Sequence, residues 1–255
     1  MDVSLERSGT ATTDVQASPH VLVISQPMFF PWVGMLEQAR LCDTYVHYDD
    51  VQFSKGSFTN RVQIKTAQGP AWMTVPVLHE GRCQIRDVRV NESTRFRDKH
   101  LRTLSQSYAQ APHRDVMLAL VERVYAERSS WLADLTIAST EALWDAFDVR
   151  PDIVLRSSGV SVGGTSSERV LAFNVALGAN VYVSGQGGRA YLDHGAFQEA
   201  GIDVRYMDYQ KRPYPQLHGP FTPFVSALDL LANLGPDGCT QIASSASSWQ
   251  TPTIH

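Results

Sequence analysis

Adjacent carboxylates, Asp49 and Asp50, stand in the stretch His47-Tyr48-Asp49-Asp50-Val51-Gln52. Acids at a strand end can orient an amine, take up a proton or bind a metal. Successive strand residues face opposite sides, so the pair lacks the arrangement of a retaining glycosidase; solvated loop acids are the plain alternative. Asn60, Arg61 and Lys65 follow, and Arg61, Gln63 and Lys65 share one strand face that could grip a phosphate or carboxylate. Exposed charges that protect an edge strand explain the same pattern. His100, beside Lys99, is the histidine best placed for general acid or base work, since an unperturbed imidazole titrates near working pH. The other histidines have no ligand-like or triad-like spacing. Gly185-Gln186-Gly187-Gly188 leaves an apolar run directly and lets backbone approach a ligand, but it carries neither a phosphate-loop signature nor a dinucleotide fingerprint. Ser25 and Gln26 precede two prolines and Gly34 at a helix start, where free amides could receive an anion.

These groups need a scaffold, and the apolar pattern supplies one. The unbroken run Val21–Ser25 suits a strand covered on both faces. Pro27 and Pro31 end it, and Met35, Leu36 and Ala39 mark a short helix over 32–41 before a second strand over 45–48. Residues 61–65 and 72–77 flank the turn Gln68-Gly69-Pro70 and predict a hairpin, with Pro76 placing its second strand at an edge. Helices are predicted over 97–108, 116–128 and 131–147, the last capped by Ser129 or Ser130. Strands at 153–155, 181–183 and 202–206 then alternate with helices, one starting near Ser166 or Ser167 and ending at Gly178, the last capped by Ser226 and stopped by Gly235. The expected fold is α/β: a three-layer Rossmann-like domain with a mainly parallel sheet, a β-hairpin and an inserted helical segment at about 96–148. Its domain spans residues 20–239, between a flexible N-terminal segment, 1–19, and a flexible C-terminal tail, 240–255.

Composition narrows the chemistry. With 22 Lys+Arg against 26 Asp+Glu and no compact basic run, the chain is a poor nucleic-acid binder. Cys42, Cys83 and Cys239 are too few and too scattered for a zinc site or a disulfide framework, so a reducing compartment is expected, with no metal and no cofactor. No apolar run approaches the ~20 residues of a membrane span, and no signal-peptide core precedes the first strand; a cytoplasmic protein follows.

Taken in order, Ile24-Ser25-Gln26-Pro27, Pro31-Trp32, Gly34, Tyr48-Asp49-Asp50-Val51-Gln52-Phe53 and Asn60-Arg61 resemble the WbqC-like family. So do Val75-Pro76-Val77, Lys99-His100-Leu101, Val183-Ser184-Gly185, Tyr191-Leu192-Asp193, Tyr214-Pro215-Gln216 and Asp229-Leu230-Leu231. The likeness runs from about Val21 to Gly235 and implies a bacterial role in surface-polysaccharide or specialised-metabolite biosynthesis. His47 and Gln186 depart from the family's pattern. The loop after the first strand is also similar to that of HIGH-type nucleotidyltransferases, but the histidines that define that site are absent, which demotes nucleotide transfer. The leading expectation is a transferase that forms an amide from an activated acyl group and an amine, drawn from a small-molecule or carrier-protein-bound substrate. Asp49, Asp50 and His100 would move protons; Gln26, Asn60, Arg61, Lys65, Gly185, Gly187, Gly188, Tyr191 and Tyr214 would hold the substrate. Alternatives are a hydrolase or cyclase acting on a carrier-bound thioester, with Cys42 or a serine as nucleophile, and a non-catalytic protein binding a nucleotide-sugar or carrier-bound intermediate.

Overall fold

A computed structural model describes residues 18–249. In chain order the elements are β1 (Val21–Ser25), α1 (Val33–Arg40), β2 (Thr44–His47), β3 (Arg61–Thr66), β4 (Gly69–Thr74), β5 (Val77–Leu78) and β6 (Arg89–Val90). Three helices follow, α2 (Phe96–Ser107), α3 (Arg114–Ala126) and α4 (Leu132–Phe147). The chain then alternates β7 (Ile153–Arg156), α5 (Ser166–Ala176), β8 (Val181–Ser184), α6 (His194–Glu199), β9 (Asp203–Asp208), α7 (Ala227–Leu234) and β10 (Ser245–Ser248).

Six strands form one sheet in the order β10-β9-β8-β1-β2-β7, parallel throughout except for β10. The sheet grows from β1 through β2 to β7 on one side, and from β8 to β9 on the other. The direction of winding therefore reverses between β1 and β8, the topology of a Rossmann-like fold. Side chains alternate across the sheet as a period of two requires. Val23, Tyr45, Val181 and Val183 join the apolar cluster that contains α1, α3, α4 and α7. Leu22, Val46, Tyr182 and Val204 face the other way, toward Val170 and Phe173 of α5 and Phe197 of α6. Full burial of both Leu22 and Val23 fits the unbroken apolar run that identified β1.

The helical segment packs as part of the sheet's own cover. Trp144 of α4 is fully buried and meets Tyr45 edge to face, with ring centroids 4.7 Å apart. The hairpin β3-β4 is tied to the sheet by Ser226, whose amide donates to Gln63 O (2.8 Å) while its hydroxyl donates to Phe30 O (2.7 Å). That hydroxyl also accepts from Leu228 N–H, so Ser226 caps α7 as expected.

Three details differ from the sequence reading. The second hairpin strand covers 69–74 rather than 72–77: the chain breaks at Val75-Pro76, and β5 pairs antiparallel with β6 instead. Proline has no amide to extend the ladder, which separates the two pairings. Ser129 does not cap α4 directly; its hydroxyl accepts from the amide of Trp131, the N-cap residue, and donates to Asp134. Within the expected tail, Ser245–Ser248 pairs with β9 through Arg205–Asp208. Serine and alanine in that strand bring backbone hydrogen bonds with little apolar pattern to mark it.

Candidate functional site

At the reversal between β1 and β8, the carboxyl ends of the strands open onto a cavity of about 580 Å³. Open α/β sheets bind ligands at such a crevice. Its walls come from Ser25 at the end of β1 and Gln26 after it, Tyr48 after β2, Ser184 at the end of β8, and the glycines that follow. Gly185, Gly187 and Gly188 form this wall, with residues 186–190 wound into a 3₁₀ turn. Gly188 is required by packing: a Cβ there would collide with the Ser184 hydroxyl. Gly187 differs, since a Cβ there meets nothing within 4 Å. Tyr191 is half-exposed at the mouth, and Met28, Met35 and Val170 give the cavity an apolar side. Among the described residues, no charged side chain lines this space. Burial raises the Tyr48 phenol, with the nearby Arg169 charge acting against it, and raises that of Tyr191 too. Both rings therefore present neutral hydroxyls at working pH.

Asp49 and Asp50 stand beside this cavity and hold its border. Asp49 is buried and accepts from the Ser158 amide (3.1 Å) and hydroxyl (3.0 Å). The Ser157 hydroxyl accepts from the Asp49 amide (3.0 Å) and donates to Asp50 Oδ1 (2.6 Å). Asp50 Oδ2 takes a 2.6 Å ion pair from Arg169, whose guanidinium lies 5.2 Å from the centroid of Tyr48. Burial pushes the Asp50 carboxyl upward, but hydrogen bonds from Arg169 and Ser157 and the Arg169 charge outweigh it and hold the group below its ordinary value. The two acids thus stitch the end of β2 to the segment after β7 and to α5, one residue before cavity-lining Val170.

Other expected site residues lie elsewhere. Asn60 closes its own loop, accepting from Gly56 N–H (3.0 Å) and donating to Val75 O (3.1 Å). Arg61 stacks on Trp72, 4.1 Å from the ring centroid. Lys65 is 2% exposed, and its ammonium donates to Gly219 O, Pro220 O and Gln216 Oε1 at 2.6–3.1 Å, latching the 216–220 loop. Tyr214 donates to buried Asp229. His100 lines a different space, between β4 and α2. Its Nε2 lies 3.1 Å from Thr74 O and its Nδ1 2.7 Å from the Tyr125 hydroxyl, so both nitrogens are occupied.

Burial drives the His100 imidazole down to about 4, against the opposing bond to Thr74. A histidine depressed in the folded state stays neutral while its unfolded counterpart protonates, so stability falls as pH drops below about 6.5 and levels off below about 4. This group alone is expected to remove up to about 3 kcal/mol across that window. Urea unfolding of wild type and His100→Gln checks it: the variant should have a flatter acid limb, and identical limbs would contradict the linkage.

The profile of the WbqC-like protein family matches residues 26–241, from the cavity's own Gln26 to the segment before β10. The chain belongs to this family. It is also similar to Uncharacterized protein Rv1507c of Mycobacterium tuberculosis (strain ATCC 25618 / H37Rv), at 32% identity over 230 residues, covering 85% of this chain and 94% of that protein. No solved structure matches this chain. In this WbqC-like chain no helix among the described residues is long and apolar enough to cross a membrane.

Several wall residues escaped sequence analysis. Gln38 lies in α1 three residues after Met35, on the stripe that faces the cavity, and is 5% exposed. A glutamine on an otherwise apolar helix stripe was the available signal. Tyr182 reads in the sequence only as part of a strand, whereas Ser166 belongs to the glycine-rich stretch 163–167 before a helix, which suits an anion cradle or a lid; it opens α5 with a φ of 50°. In this WbqC-like chain, Gln26, Gly185, Gly187, Gly188 and Tyr191 converge on one cavity, Asp49 and Asp50 border it, and His100 lines another.

Proposed function

We propose that this WbqC-like chain is a biosynthetic transferase that binds an activated acyl donor at the β1–β8 crevice and joins its acyl group to an amine. The observation that carries this reading is the cavity at the winding reversal, where the glycine backbone of 185–188, with Ser25 and Ser184 beside it, lines a space with an apolar side. Backbone amides suit the phosphate-bearing part of a donor. Neutral phenols at Tyr48 and Tyr191 are suited to donate to an acyl oxygen as negative charge develops on it. Asp50, anionic and beside the border, is assigned to orient the incoming ammonium. The ammonium first gives one proton to solvent; the resulting free amine attacks the acyl carbon, the bond to the activating group breaks and that group departs with the electron pair, and the new amide nitrogen loses a second proton to solvent. Burial pushes the Cys42 thiol up, with the Asp43 charge adding to it, which disfavours a thiolate nucleophile and hence a Cys42-dependent hydrolase or cyclase.

One observation favours a second reading, a non-catalytic binder: the lining has no charged side chain, and Asp50 is already paired with Arg169. A thermal-shift screen with nucleotides, sugar nucleotides and acyl thioesters tests both. A true ligand at ~100 times its Kd adds about 2.7 kcal/mol. Consumption of the donor only when an amine is present supports transfer; stabilisation without consumption supports the binder. Absence of stabilisation by every class contradicts both.

A further inference from the structure

A second concavity, of about 840 Å³, lies between β4 and α2 and is separate from the crevice argued above. Its floor is apolar: Ile64 and Met73 of the hairpin, and Phe96 of α2, are buried there. That floor is fixed by the buried contacts of His100 with Thr74 O and the Tyr125 hydroxyl. Trp72 forms an outer wall, 46% exposed, and Phe58, 39% exposed, stands 6.0 Å from it. A large exposed aromatic side chain at the edge of a concave apolar surface is a feature of binding sites; one face of Trp72 is covered by Arg61.

The opposite wall is cationic. Arg95, Asp98, Lys99, Arg102 and Thr103 follow the i, i+3, i+4, i+7, i+8 spacing of one helix face, and all five line the groove. Arg95 is paired with Asp98 at 2.8 Å. Lys99 and Arg102 have no ion-pair partner among the described residues. The site thus offers an aromatic, apolar trough beside two uncommitted positive charges, and a volume suited to a small molecule.

We propose that this groove is a second ligand site, for an organic anion with an aromatic or aliphatic body and a single carboxylate or phosphate head. The body lies along the floor of Ile64, Met73 and Phe96 with Trp72 at its rim, and the head faces Lys99 and Arg102. The assignment does not rest on the function proposed for the crevice.

Isothermal titration of the full chain with 3-phenylpropionate and 3-phenylpropyl phosphate, against neutral 3-phenylpropanamide, tests it. Both anions should bind saturably and the amide about tenfold more weakly, the scale expected of two surface charges. The double variant Lys99→Glu/Arg102→Glu should lose about the same factor for the anions, with its unfolding midpoint unchanged because both side chains are exposed. Trp72→Ala should weaken all three ligands, while Gly187→Trp, in the crevice, should weaken none. No saturable binding, equal affinity for amide and acids, anion affinity untouched by charge reversal, or binding only of an acidic peptide would each overturn the assignment.

Discussion

Gly187→Trp is expected to reduce binding of the crevice ligand by about 100-fold or more while moving the thermal midpoint by no more than about 2 °C. A Cβ at this position meets nothing within 4 Å, and Gly187 has no positive φ that would strain another residue. The added indole therefore has room near the backbone and is expected to take up part of the roughly 580 Å³ cavity that Gly187 lines. Gly187→Ala should bind almost as wild type, which separates filling the cavity from loss of the glycine itself. Gly188→Ala should behave differently, lowering stability because its methyl meets the Ser184 hydroxyl and Leu192. Calorimetric titration and a thermal melt of the three variants provide the comparison. Unimpaired binding by a folded Gly187→Trp protein would remove the crevice from the account.

Asp229→Ala is expected to carry the largest stability loss of any single change to the polar interior, about 2–5 kcal/mol, or a drop of roughly 5–15 °C in the midpoint. Asp229 is fully buried in α7 and accepts from the Tyr108 hydroxyl (2.9 Å) and the Tyr214 hydroxyl (3.0 Å). Alanine leaves two buried phenols without an acceptor, and each orphaned group costs about 1–3 kcal/mol. The Tyr108 oxygen also accepts from the Lys65 amide (3.3 Å), so the loss reaches the hairpin that Lys65 belongs to. Asp229→Asn keeps one acceptor oxygen and should lose less. Burial raises the Asp229 carboxyl, against the hydrogen bonds from both phenols. Equilibrium urea unfolding measures the effect; a loss below about 1 kcal/mol for alanine would show that the phenols find other partners.

Much of this architecture is legible because burial on both faces of a parallel strand demands a continuous apolar run. Val21–Ser25 and Val181–Val183 announce themselves in that way, and Gly178 and Gly235, both at positive φ, mark helix ends. The tail strand Ser245–Ser248 stays hidden, because its pairing to β9 uses main-chain groups that any residue supplies.

The crevice is half legible for a related reason. Glycines after a strand and Gln26 before a proline are local signals, and they do meet in space. Charge at Arg61, Lys65 and His100 carries no comparable information about direction. Lys65 turns into the protein to hold carbonyls of the 216–220 loop, and His100 packs under the hairpin against Phe29 and Tyr125. Only tertiary contacts decide whether such a side chain faces a cavity or secures a loop. Asp49 and Asp50 show an intermediate case: their position at the carboxyl end of β2 was readable, but their partners Ser157, Ser158 and Arg169 are more than a hundred residues away.

Hydrogen exchange of the full chain, with and without the acyl donor or nucleotide that stabilises it most, tests the central claim most directly. Protection is expected at the amides of residues 185–191 and 25–28, with little change across 71–76 and 95–103. Protection confined to the β4–α2 groove, or spread evenly over the sheet with none at the glycine turn, would contradict a substrate site between β1 and β8.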